Sequence, residues 1–276
     1  MPARQFWDQH VLQDAVLNPY YQKFVDFAIN PALAGRPLHV LELGCGNGLL
    51  AIQIARQYGF SVIGVDFSSR SIDWANRQAQ ASGEKRVSFQ CGDVRDPDLP
   101  LVGPFDIIIG TAVLHEVTGP DFEALARRLF CLLSPAGYGV FLENSFFNPL
   151  FRFVRAAMPD HLRLGHPEEY PFDPQRYRVL QSIFTLTRRD CIGVMLLHRF
   201  HAQLLSKLID HVIISRAFDT LDYWATRYLP ASWALWLSYL QVISFFKKSD
   251  SLDVLNFDVI SRPWMPRYEP LGPNQQ

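Results

Sequence analysis

The chain is short of charge. Charged residues fill 19% of its 276 positions and cancel to a net −1, with an isoelectric point near 6.7, where soluble domains usually carry ~25%. The basic residues come in scattered pairs and not as a stripe, so nothing here draws a phosphate backbone regardless of sequence, and nucleic acid is not the expected partner. Cysteine is scarce as well. Cys45, Cys91, Cys131 and Cys191 stand about 40 to 60 residues apart with no C-x-x-C pair, which argues against a zinc ribbon or a dithiol redox site and suits reduced thiols. Met1 to Asp8 lack the apolar stretch of a secretory leader, so a cytoplasmic protein is expected. The one long uncharged run, Tyr228 to Phe246, approaches the ~20 residues of a membrane span. Pro230, Ser232, Ser238, Gln241 and Ser244 interrupt it. No internal repeat is visible. No metal spacing persuades either: His161-x4-His166 reads as two solvated loop histidines and His198-x-x-His201 as packing.

What the sequence has is apolar bulk, 49% of residues, enough for a sizeable core with some apolar surface left over. It is organised around Val40-Leu41-Glu42-Leu43-Gly44-Cys45-Gly46-Asn47-Gly48. Leu38 to Leu43 is too short for a helix and apolar on both faces, so it predicts a strand in the middle of a sheet. Gly44 and Gly46 allow a sharp turn and close approach of a ligand to the backbone. Leu49 to Tyr58 then takes helical spacing, with Gly59 as its stop. Ser61 to Asp66 predicts a second strand, followed by a helix from Ser71 to about Ser82. Asp66 falls 20 residues after Gly46, where a carboxylate can accept from ribose hydroxyls. A dinucleotide fingerprint, G-x-G-x-x-G, would need its third glycine where Leu49 stands.

Three more units follow. Val87 to Val94 is a short strand ending in Asp93. Pro104 to Gly110 is another, running into Thr111-Ala112-Val113-Leu114-His115-Glu116-Val117. A helix from Asp121 to Leu133, a turn at Ser134-Pro135-Ala136-Gly137 and a strand from Tyr138 to Glu143 complete five strand and helix units in about 105 residues. The run E-L-G-C-G-N-G, with Asp66, Cys91-Gly92-Asp93-Val94, the F-D-x-I-x strand at Phe105 and L-H-x-V at Leu114, resembles the class I S-adenosylmethionine-dependent methyltransferases. The resemblance covers about residues 1 to 248 and is specific from 38 to 145. It implies an α/β Rossmann-like doubly wound seven-stranded sheet, in the order 3-2-1-4-5-7-6 with the last strand antiparallel. It also implies S-adenosyl-L-methionine as cofactor, with Glu42, Gly44, Gly46 and Gly48 around its methionine part and Asp66 and Phe67 at the ribose. Asp93 and Val94 would border the adenine, with Thr111 at the end of the fourth strand and Tyr20 as an aromatic contact from the N-terminal segment.

By the same resemblance, residues 1–34 form a helical lid, 35–198 the core, 199–237 a helical insertion or cap, 238–248 the last strand and 249–276 a tail, all in one methyltransferase domain. Gln175 to Phe184 looks helical, Arg189 to Leu197 looks like the sixth strand, and the proline-rich Met158 to Pro174 suggests a binding loop. The expected reaction is in-line methyl transfer to a small-molecule acceptor. A slight lean towards an aromatic or lipid-like molecule comes from Phe146, Phe147, Phe151 and Phe153. Peripheral membrane contact around Trp233 and Trp236 is a further option, and oligomeric state is not legible. His115 is the candidate base for the acceptor's proton, with Glu143 as runner-up; packing of His115 against the acceptor or the loop is the alternative. Two rival functions stay open: a cofactor-binding scaffold that transfers nothing, and a nicotinamide-dependent oxidoreductase.

Overall fold

The central strand forms where apolar side chains alternate to both sides of one short run. In a computed structural model that describes residues 8–9, 19–30, 33–145, 171–184, 186–193 and 240–247, with scattered positions between 148 and 238, this strand is β1, His39–Leu43. Val40 joins a core with Phe24, Ile54, Phe60, Ile107 and Tyr138. Leu41 and Leu43 join a second core, on the other face, with Phe105, Ile108, Leu129, Phe141 and Phe245. Period-two alternation thus feeds two cores from one strand.

The other elements are α1 Pro19–Ala28, α2 Leu49–Tyr58, β2 Ser61–Asp66, α3 Ser69–Ser82, β3 Val87–Cys91, β4 Phe105–Thr111, α4 Gly119–Leu132, β5 Leu133–Asn144, α5 Pro174–Ile183, β6 Leu186–Gly193 and β7 Leu240–Phe246. They build one seven-stranded sheet in the order β3-β2-β1-β4-β5-β7-β6. β1 to β5 pair in parallel, and β7 runs antiparallel to both β5 and β6. The expected fold class, strand order and antiparallel last strand are all present. Helices α1 and α2 cover the first core; α4 and α5 cover the second.

Local chemistry sets the boundaries. Gly59, with φ 79, ends α2 by donating its N–H to Ala55. Ser68 caps α3, its hydroxyl accepting the Ser71 N–H at 3.2 Å, so that helix begins at Ser69 and not at Ser71. Pro19 opens α1, where its missing N–H costs nothing. The expected turn at Ser134–Gly137 is instead a bulge inside β5: Leu133 pairs with Phe105 and Tyr138 with Ile107, so residues 134–137 stand opposite Asp106 alone. Turn-forming residues serve a bulge equally well. β6 starts three residues before the expected Arg189, at Leu186, because its register is set by pairing with β7. Its expected end at Leu197 lies outside the described residues, as do most of the first N-terminal helix, the 158–170 loop with His161 and His166, the 199–223 part of the cap, His198-x-x-His201 and the tail. Among the described residues no helix is long and apolar enough to cross a membrane.

Candidate cofactor and acceptor site

Ligands of open α/β sheets lie beyond the carboxyl ends of the strands, and the chemistry-bearing residues gather there. Gly44, Gly46 and Gly48 all take left-handed backbone angles, φ 63, 49 and 77, which residues with a Cβ adopt at a cost. Their surroundings differ. A Cβ at Gly44 would meet the Val113 side chain at 3.0 Å, and one at Gly48 would meet Phe89 at 2.6 Å and Ala75 at 2.7 Å; one at Gly46 would meet nothing within 4 Å. Gly48 therefore lets α3 and β3 close onto the turn, Gly44 lets the loop after β4 approach, and Gly46 faces open space.

Asp66 ties this turn to β2. Its Oδ2 accepts the Gly46 N–H at 3.0 Å and its Oδ1 the Ser68 N–H at 2.8 Å, leaving each oxygen a further lone pair. Burial pushes its pKa up, against the two backbone donors, with a smaller push from Asp8. Asp8 itself accepts the Ser68 hydroxyl at 2.6 Å, which brings the N-terminal segment to the end of β2.

Glu42, two residues before the turn, is buried, and its Oε2 has no hydrogen-bond partner among the described residues. Burial lifts its pKa well above the carboxylate range, opposed by the Ala51 N–H and aided by Asp66. A buried carboxyl oxygen without a donor is costly, about 1–3 kcal/mol or more, and marks a place for a ligand donor. The site thus fits a nucleoside with a cationic tail: an open glycine backbone, a carboxylate with spare acceptor sites, and a second carboxyl with one oxygen lacking a partner among the described residues.

The remaining expected cofactor residues are brought to the same edge in varying states. Thr111 ends β4 half-buried, Phe67 is half-buried just after β2, and Val94 packs against the second core. Tyr20 lies in α1, but its side chain is outside the described residues. Asp93 follows β3, yet its carboxylate is taken by Arg95, whose Nε lies 2.9 Å from Oδ1 and 3.0 Å from Oδ2, with Nη2 2.5 Å from Oδ2.

The loop after β4 is anchored from behind. Ala112 is the one non-glycine described residue with positive φ, 53, and its N–H donates to Leu142 at 2.8 Å. Glu143 then accepts three consecutive backbone donors, Val113 at 3.0 Å, Leu114 at 2.8 Å and His115 at 3.3 Å, at the start of a one-turn helix, Leu114–Glu116. Its Oε2 also lies 2.5 Å from His115 Nδ1. A carboxylate oxygen accepts, so Nδ1 carries a proton, and in the neutral imidazole the basic nitrogen is Nε2. Arg176 holds the other side of this loop, donating Nη2 to the His115 carbonyl at 3.1 Å and Nε to that of Val117 at 2.8 Å. Burial lowers the Arg176 pKa, against Asp173 and then Glu143.

His115 and Glu143, the two expected catalytic residues, are therefore in direct contact. Both are buried, His115 at 1% exposure and Glu143 at 0%. Glu143 has its oxygens committed to four donors, which ties the end of β5 to this loop. Sequence reasoning missed Arg176, Arg95 and Ser68. Only Ser68 had a local signal, a serine preceding a helical run; the reach of Arg176 across 59 residues to Val117 had none.

The family model described as a methyltransferase domain matches residues 40–137, the segment that holds the glycine turn, Asp66, Asp93 and His115. A ubiquinone biosynthesis O-methyltransferase of Coxiella burnetii (strain Dugway 5J108-111) is 32% identical over 165 residues, which cover 56% of this chain and 67% of that one. The bifunctional O-antigen chain terminator methyltransferase/kinase WbdD of Escherichia coli is 30% identical over 110 residues, and the chain spans only 15% of its length. In fold, the chain is similar to the N-methyltransferase NodS of Bradyrhizobium japonicum WM9, solved with S-adenosyl-L-homocysteine: TM-score 0.55 and 13% identity, over 90% of this chain and 99% of that one. The strand order, the glycine turn clamped by Asp66, the family match and the Coxiella relative all agree, and the chain belongs to the class I S-adenosylmethionine-dependent methyltransferases.

Proposed function

We propose that this chain binds S-adenosyl-L-methionine and catalyses transfer of its methyl group to a small-molecule acceptor by in-line displacement. The observation that carries the reading is the glycine turn: Gly46 open to ligand and held by Asp66, with the unpartnered Glu42 Oε2 behind it. In this reading Asp66 accepts the ribose hydroxyls, Gly46 leaves room for the backbone to run along the ligand, and Glu42 faces the cationic amino-acid end. The bound cofactor supplies an electrophilic methyl on sulfonium sulfur. The protein's share is mainly placement, since holding two reactants in attack geometry is worth ~7–11 kcal/mol of barrier.

His115 and Glu143 do that placing at the loop after β4. With both side chains buried, the pair fixes Val113 to His115 at the sheet edge, between the cofactor and the acceptor's side; His115 Nε2 takes the acceptor's proton only if the acceptor displaces the loop. The acceptor belongs to the aromatic or lipid-like class, a proposal supported by the aromatic-rich segment after β5 and by the quinone biosynthesis named for the Coxiella relative. Residues 199–237 would cap it, and residues 1–34 would close over the cofactor from the side where Asp8 meets Ser68. The protein would work in the cytoplasm, on a small molecule and not on nucleic acid.

Calorimetry with S-adenosylmethionine, S-adenosylhomocysteine and a nicotinamide dinucleotide tests the binding half. Heat with both sulfur nucleosides and none with the dinucleotide is expected, and the reverse would sink the reading. Transfer of labelled methyl groups into an extract's small-molecule fraction tests the reaction. Binding without any labelled product would leave a scaffold protein instead.

A further inference from the structure

Resting on the cofactor reading above, we propose that Arg95 competes with the cofactor's adenine amine for Asp93, and that Asp121 receives the guanidinium while the cofactor is bound. The case begins with lone pairs. A carboxylate offers about four acceptor positions, two on each oxygen. Asp93 Oδ1 accepts the Arg95 backbone N–H at 2.9 Å and Arg95 Nε at 2.9 Å; Oδ2 accepts Nε at 3.0 Å and Nη2 at 2.5 Å. Three N–H groups, with that of Nε shared between the two oxygens, crowd both of them, so an exocyclic amine can donate to Asp93 only where a guanidinium donor has left. The backbone donor is fixed by the turn after β3, which is also closed by the Asp96 N–H donating to the Asp93 carbonyl at 2.9 Å. The side-chain donors can move, and moving them takes both guanidinium contacts off Oδ2.

The guanidinium has somewhere to go. Arg95 Nη1 already lies 3.8 Å from Asp121 Oδ2, in the first turn of α4, and Asp121 is largely exposed with room to turn towards it. Arg95 and Asp93 are themselves partly exposed, at 48% and 39% of their side chains. A pair so exposed is weak and screened by salt, so an incoming adenine can displace it. It also re-forms as adenine leaves, which favours product release. Arg95 is thereby a residue that sets cofactor affinity without touching the reacting atoms.

The test is binding of S-adenosylhomocysteine by calorimetry, at low and high potassium chloride, to the full chain and to Arg95→Gln, Arg95→Lys, Asp121→Asn and Asp93→Asn, with melting curves to confirm that each is folded. Removing a weak exposed pair should tighten Arg95→Gln by about two- to fivefold, with Arg95→Lys between it and the parent and Asp121→Asn weaker than the parent. Salt should tighten binding to the parent and leave Arg95→Gln nearly unchanged. Asp93→Asn should bind markedly more weakly. If the parent binds and Asp93→Asn is weak, but Arg95→Gln is no tighter than the parent, the competition is overturned while the cofactor reading stands. If the parent does not bind at all, or Asp93→Asn binds as the parent does, the reading of Asp93 falls and the competition with it.

Discussion

Three glycines in five residues look alike in the sequence but differ in what a methyl group would do to them. Gly48→Ala would force a Cβ to within 2.6 Å of Phe89 and 2.7 Å of Ala75 at φ 77, adding overpacking to left-handed strain, so a loss of about 2–4 kcal/mol in urea unfolding is expected. Gly46→Ala meets no neighbour within 4 Å and should lose only the strain, about 1–2 kcal/mol, while binding of S-adenosylhomocysteine falls more steeply than stability. A Gly46→Ala protein with full affinity would show that no ligand approaches this backbone. His115 offers a second comparison at the same scale. His115→Ala removes one of four donors from Glu143, in a site where both partners are buried, and should cost about 1–3 kcal/mol. If the imidazole only places the loop, turnover falls but the acidic limb of the pH–rate profile persists, and His115→Asn, which can still donate, recovers part of the loss. If instead the limb disappears, Nε2 is the base.

At the scale of elements, the loop after β4 is held by a strand on one side and a helix on the other. Arg176, the third residue of α5, joins that helix to the His115 and Val117 carbonyls and is only 4% exposed. Arg176→Lys should therefore fail as a conservative change, because an ammonium cannot reach both carbonyls in fork geometry. A loss of about 2–4 kcal/mol in urea unfolding is expected, with kcat falling more than the Michaelis constant for the cofactor; a lysine variant matching the parent in both would show the fork to be dispensable. The contrast with what the sequence revealed is physical. Strands β1, β2 and β4 are legible as largely apolar runs and β3 as a short alternating one, each ended by glycine or an acid, and those acids, Asp66 and Asp93, need no tertiary partner to be noticed. The start of β5 was misplaced because Ser134-Pro135-Ala136-Gly137 has the chemistry of a turn, and a bulge uses the same chemistry. Glu143 was placed at a strand end, but its service to three N–H groups some 28 to 30 residues earlier exists only once β4 and β5 lie side by side. Arg95 was overlooked because pairing with Asp93 two residues away is a choice of side-chain rotamer and leaves no periodicity.

For the molecule as a whole, the glycine turn is an unbalanced concentration of acid. Burial raises the pKa of Glu42 and, less strongly, that of Asp66, and the Asp66 charge raises Glu42 further. Cys45 between them has its thiol pushed up by burial, then by Glu42 and Asp66. A carboxyl whose folded pKa is raised stabilises the fold fully below its unfolded value, near ~4 for these groups, and that contribution is lost as pH climbs through the raised folded value. At this site the ligand-free protein should therefore lose stability as pH rises from about 4 towards neutrality. A cation brought against Glu42 reverses the balance, because an opposite charge favours the ionised carboxyl. If the proposed cofactor places its ammonium there, binding at a pH below the raised Glu42 value must expel a proton, up to about one per site. Calorimetry of S-adenosylhomocysteine binding in buffers of different ionisation enthalpy reads that proton directly as the dependence of observed heat on buffer. The release should shrink as pH is raised past the Glu42 value and vanish in Glu42→Gln, in which the carboxamide cannot ionise. Heats that do not depend on the buffer, or a release that survives in Glu42→Gln, would show that Glu42 is not where the cofactor's charge is met.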